Sequence, residues 1–172
     1  MADALKEMPI DCLEIIDPFT LAPWESRMRT ATEESAEEPV TDYAVCIAVS
    51  SSARNGLVGY GVAIETQTSV HSESTTNTWS ATLGPRSEQN PFTGELAGIA
   101  SALDSLPRMR YRNIILLTRN KAAVLTLKKP RQQSGQRHVR RAYEAMRRLR
   151  REGSSVTITW FPTDELDERI DV

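Results

Sequence analysis

Three runs of strand character crowd between residues 43 and 84, and only beyond them does the spacing turn helical. "YAVCIAVS" (43–50) is a continuous apolar run rich in β-branched residues, the composition of a central strand. "LVGYGVAIET" (57–66) is a second strand, whose glycines point to a bulge or a close approach by another element. "TNTWSATLG" (76–84) alternates apolar and polar as a third strand does. "SSARNG" supplies the first turn, with Asn55-Gly56 as the hairpin signal. The three are predicted to form an antiparallel meander.

Helical spacing begins at "SEQNPFTGELAGIASALDSLP". Asn90 reads as an N-cap and Pro91 as the first helical residue. Phe92, Leu96, Ile99, Leu103 and Leu106 recur at helical spacing as one buried stripe. Gly94, Ala97, Gly98 and Ser101 leave a flat face that can lie close against a sheet. "NIILLT" (113–118) is a fourth strand, followed by the short helix "NKAAVLTLKK" that Pro130 ends. A second long helix, "QRHVRRAYEAMRRLRREG", is closed by Gly153, with Val139, Tyr143, Met146 and Leu149 on its inner face. "SVTITWFP" (155–162) is the fifth strand. The order β-β-β-α-β-α-α-β predicts one α/β domain built on a five-stranded mixed sheet, with right-handed crossovers around the fourth and fifth strands.

Residues 1–42 stand apart as an acidic N-terminal arm, and the folded body is expected over 43–172. "DPFTLAPWES" is punctuated by proline, with Phe19, Leu21 and Trp24 as anchors, and "EESAEEP" reads as a solvated linker. The arm holds eleven acids against three bases, whereas residues 119–151 hold twelve Lys and Arg against Glu144 alone. One end of the chain repels polyanions and the other attracts them. No apolar run reaches the ~18 residues that a membrane crossing needs, and the start lacks the pattern of a secretory signal. Cys12 and Cys46 make no metal or disulfide pattern, which fits buried thiols in an intracellular compartment, nuclear or cytoplasmic. His71 and His138 fit no triad or zinc spacing and are expected at the surface.

The wording "VSSSARNGLVGYG", "FTGELAGIASAL", "LTRNKAAVLTL" and "WFPTDELDERID" resembles the ribonuclease H fold. It is most similar to the ribonuclease H-like region of fungal non-LTR retrotransposon polyproteins, in which phrases like "SEQNPFTGELAGIA" and "PRQQSGQ" recur after a "PF…PPW" segment. The resemblance spans roughly residues 17–171. It implies a reverse-transcriptase-associated domain whose active members cut RNA in an RNA–DNA hybrid with four carboxylates and two Mg²⁺ ions.

Carried over residue by residue, the resemblance puts the first Asp position at Ser50 and retains the helical Glu as Glu95. The second Asp position falls on Arg119, because "LTRNKAAV" overlays the family's "FTDNQAAL" without a gap, and the last falls on Asp171 in "DERID". The family's mobile His falls on Asp164 or is absent. Ser50, Glu95, Arg119 and Asp171 carry a formal charge of −1 where an active member has −4. A guanidinium ~4 Å from a dication costs several kcal/mol even at an effective dielectric of ~20, so no metal and no cofactor is expected. Arg119 is read instead as an internal cation hydrogen-bonded to Glu95, Asp171 or Asp164, with a solvent-facing arginine as the simpler alternative.

The leading expectation is therefore a catalytically inactive domain that acts by binding. Arg137, Arg140, Arg141, Arg147, Arg148, Arg150 and Arg151 would meet nucleic-acid phosphates without reading bases. The alternatives are an active hybrid nuclease that recruits Asp164, Glu165 or Asp167 as replacement Mg²⁺ ligands, and a protein-interaction module that binds a partner or itself.

Overall fold

Asn55 and Gly56 both take positive φ, +51° and +76°, the conformation that a two-residue hairpin turn requires. That turn joins β2 (Val45–Arg54) to β3 (Leu57–Thr66), paired in register from Val45↔Thr66 to Arg54↔Leu57. The computed structural model describes residues 29–31, 45–67, 74–131 and 133–161. Strand β4 (Thr75–Pro85) continues the meander antiparallel to β3, with one register shift at Val58/Gly59 beside the expected glycine irregularity.

Helix α1 (Pro91–Ser105) starts as its sequence dictates: the Asn90 carboxamide accepts the N–H of Thr93 at 2.8 Å, and Pro91 occupies the first turn. Strand β5 (Asn113–Thr118), helix α2 (Lys121–Lys128), helix α3 (Gln136–Arg151) and strand β6 (Ser155–Trp160) follow. Gly153, at φ +80°, ends α3 as expected, and the Ser154 N–H returns to the Leu149 carbonyl.

The sheet order is β1-β6-β5-β2-β3-β4, with β2, β5 and β6 parallel to one another. The five expected strands are all present, the first three antiparallel. Two details differ from expectation. The segment Ser51–Arg54 is strand rather than turn, because Asn55-Gly56 alone reverses the chain and leaves the preceding residues free to pair. In addition, residues 29–31 of the supposed arm form β1 (Arg29–Ala31), which pairs in parallel with β6.

Helix α1 lies on β2 and β3, and α3 packs on α1. The helix can come this close because it presents glycine there: a Cβ on Gly98 would stand 2.6 Å from Val49 Cγ1, and one on Gly94 3.2 Å from Ser51 Cβ. Leu96, Ile99, Leu103, Val139, Met146 and Leu149 are buried between the layers as the helical stripes predicted. Truncating such a leucine to alanine costs about 2–5 kcal/mol. Among the described residues, no helix is long and apolar enough to cross a membrane.

Candidate functional site

Between β2 and β5 the chain turns in opposite directions: β2 continues to β3 on one side, while β5 leads through the helices to β6 on the other. Such a reversal opens a crevice at the carboxyl ends of parallel strands, the usual place for a site in an α/β sheet. Val49 of β2 stands beside Thr118, the last residue of β5. Glu95, one turn into α1, points into the same place.

Glu95 is 2% exposed. Thr118 Oγ1 donates a short hydrogen bond to Glu95 Oε1, and Ser51 reaches the same carboxyl through its backbone N–H and its hydroxyl. Burial raises the Glu95 pKa above the usual carboxylate value, while the Thr118 and Ser51 contacts oppose that rise. Ser51 Oγ also donates to the Pro91 carbonyl at 2.7 Å. One hydroxyl proton cannot serve Pro91 and Glu95 together. The Ser51 backbone N–H keeps a contact with Glu95 when the hydroxyl turns to Pro91, and the Asn120 N–H donates to Thr118 Oγ1 at 3.0 Å.

The residue that meets Glu95 is therefore Ser51, not the expected Ser50. Val45, Ile47 and Val49 are buried and alternate with half-exposed Cys46 and Ala48, so the period of two puts Ser51 on the α1 side and turns Ser50 to solvent. Reading the strand through to Arg54 would have revealed this. Thr118 was also missed, although its place in "LLTRN" fixes it at the strand end.

Arg119 is exposed at the end of β5, and the groups that shift Glu95 are hydroxyls and an amide, not this guanidinium. The expected Arg119–Glu95 pair gives way to the Thr118–Glu95 hydrogen bond, because the strand period sends Thr118 inwards and its neighbour outwards. The Arg119 carbonyl accepts the indole N–H of Trp160 at 3.2 Å, and the Lys121 ammonium lies 4.5 Å from the centre of the Trp160 ring. Asp164, Glu165, Asp167 and Asp171 lie outside the described residues.

The described residues alone do not make a donor set for a pair of divalent cations. Glu95 is sealed and engaged by hydroxyl donors, Ser51 and Thr118 carry no charge, and an arginine follows. Among the described residues, no three His, Cys, Asp or Glu side chains gather as a metal site.

The basic helix divides into two sets. Arg148 Nη2 donates to the carbonyls of Leu103 and Leu106, at 3.2 and 3.1 Å, closing the C-terminal end of α1. That assigns it to structure rather than to the phosphate-facing set in which the sequence placed it. Arg141 binds Asp104 of α1 at 2.5 Å, and Arg140 pairs with Glu144 at 2.9 Å. Arg137, Arg140, Arg141 and Arg151 are exposed, and Arg147 and Arg150 are half-buried.

His138 corrects another expectation: it is 4% exposed rather than a surface residue. Burial, with Arg137 and Arg141 beside it, pushes its pKa down to about 4, so the ring is neutral. Cys46 is a half-buried thiol pushed up to about 11, first by burial and then by Glu65.

No protein-family model and no curated protein sequence matches the chain. Its fold, however, is that of ribonuclease H. The N-terminal RNase H domain of Rv2228c from Mycobacterium tuberculosis superposes with a TM-score of 0.55 at 17% identity, covering 73% of this chain and 94% of that one. LC11-RNase H1, solved in complex with an RNA/DNA hybrid, gives 0.52 at 16% identity over 70% of this chain and 87% of that chain. RNase H1 from Halobacterium salinarum NRC-1 gives 0.50 at 16%, over 74% and 91%.

Proposed function

We propose that this chain is a catalytically inactive ribonuclease H-like domain of the retrotransposon-polyprotein type that works by binding nucleic acid. The observation that carries the reading is Glu95: the carboxylate expected to hold metal is 2% exposed and tied to Thr118 and Ser51. A metal ligand must be ionised and open to its ion, and burial here favours the neutral acid. The exposed arginines of α3 supply the binding half of the reading, through phosphate contacts that release counterions. The complex of LC11-RNase H1 with a hybrid lends weight to the same class of partner.

The test is direct. An RNA–DNA hybrid incubated with the protein in Mg²⁺ or Mn²⁺ stays as intact as a no-protein control. Cleavage that disappears in Glu95→Gln would overturn the inactive reading, and would point to the acids beyond residue 161 as replacement ligands.

A further inference from the structure

A groove of about 380 Å³ lies beside the first turns of α3, lined by Tyr60, Leu83, Ala97, Arg137, His138 and Arg141. Its volume falls within the range of small-ligand clefts and exceeds what a lone phosphate ion would fill. One wall is cationic, and the other is aromatic and aliphatic.

Two features of that cationic wall lack an internal explanation. Arg137 Nε donates to His138 Nε2 at 3.2 Å, which places the ring proton on Nδ1, and Nδ1 has no hydrogen-bond partner among the described residues. A buried N–H left unpaired is costly in a folded protein. The residue before α3, Gly135, provides no side-chain cap for the first helical N–H groups, and the first turn of α3 holds no acidic residue, so the helix adds positive potential near Arg137. Asp104, the carboxylate on Arg141, offsets part of the charge while holding that guanidinium at the groove.

We infer that this groove holds one nucleotide of a single-stranded nucleic acid, its phosphate at Arg137 and Arg141 and its sugar and base against Tyr60 and Leu83. The inference rests on the nucleic-acid reading above and names the form of the partner. A duplex presents its phosphates on a stiff cylinder, whereas a single strand bends so that the phosphate, sugar and base of one nucleotide meet both walls of the groove together. A cationic groove with an aromatic side wall is the arrangement that binds single strands without base preference. The Glu95 crevice takes no part.

The test titrates the full chain with a short fluorescent oligothymidylate, and separately follows the His138 ring resonances during addition of thymidine 5′-monophosphate. Arg137→Gln and Arg141→Gln are each expected to weaken oligothymidylate binding by about tenfold, while Arg54→Gln, at the exposed end of β2, leaves it unchanged. The mononucleotide shifts the His138 signals, and inorganic phosphate at equal concentration competes poorly. Equal losses in all three variants would overturn the groove and leave diffuse charge binding in place. Phosphate competing as well as the mononucleotide would overturn the sugar-and-base contact. No binding of the oligothymidylate by the native chain would bring down this inference, while duplex or hybrid binding would show whether the broader reading falls with it.

Discussion

At the residue scale, Glu95 is a carboxylic acid kept where its charged form is disfavoured. Its raised pKa fixes the sign of a stability effect. Below the unfolded value of about 4.5 both states hold the proton, and the contribution is fully present. As pH rises through the folded value the buried group ionises, and that stability is lost. Glu95→Gln removes the ionisation while keeping an acceptor for Thr118. Its melting temperature, measured against the native chain from pH 4 to pH 8, is expected to gain steadily with pH. A constant offset across that range would show that Glu95 does not titrate in its site.

At the element scale, α3 combines two roles that its sequence does not separate. Val139, Met146 and Leu149 were legible as an inner stripe because burial follows the 3.6-residue period. The outer arginines look alike in the sequence, since a guanidinium that reaches water and one that caps a neighbouring helix have the same periodicity. Arg148 reveals its role only through the carbonyls of Leu103 and Leu106. Arg148→Ala is accordingly expected to destabilise the fold by about 1–2 kcal/mol. Arg140→Ala, which loses an exposed pair with Glu144, changes it by no more than about 0.5 kcal/mol. Denaturant titration of both variants separates the two roles, and equal midpoints would refute the capping assignment. The same limit explains Ser50 and Ser51. The alternation that located β2 was legible, but the point at which the strand stops was set by Asn55-Gly56. A one-residue slip along a strand exchanges its faces. His138 was misplaced because its burial comes from the crossing of α3 over α1, a contact with no local signature.

At the scale of the whole molecule, the net charge of −2 conceals a basic segment over residues 119–151, on which the proposed binding rests. Nucleic-acid affinity should fall log-linearly with salt, and Arg140→Glu with Arg147→Glu should flatten that slope. Filter binding at several salt concentrations measures it, and an unchanged slope would remove α3 from the interface. The backbone layout had a clear sequence signature wherever strands followed one another along the chain, and none where β1 inserts. Pairing between Arg29 and Thr157 joins positions 128 residues apart, and β6, the last described strand, sits inside the sheet between β1 and β5. A ribosome must therefore release almost all of the described chain before the parallel half of the sheet can close. Until then β5 carries a bare side, and the meander with α1 is the part able to form from neighbouring segments. The nascent protein thus passes through a stage in which its hairpins are assembled and its central strands still await a partner.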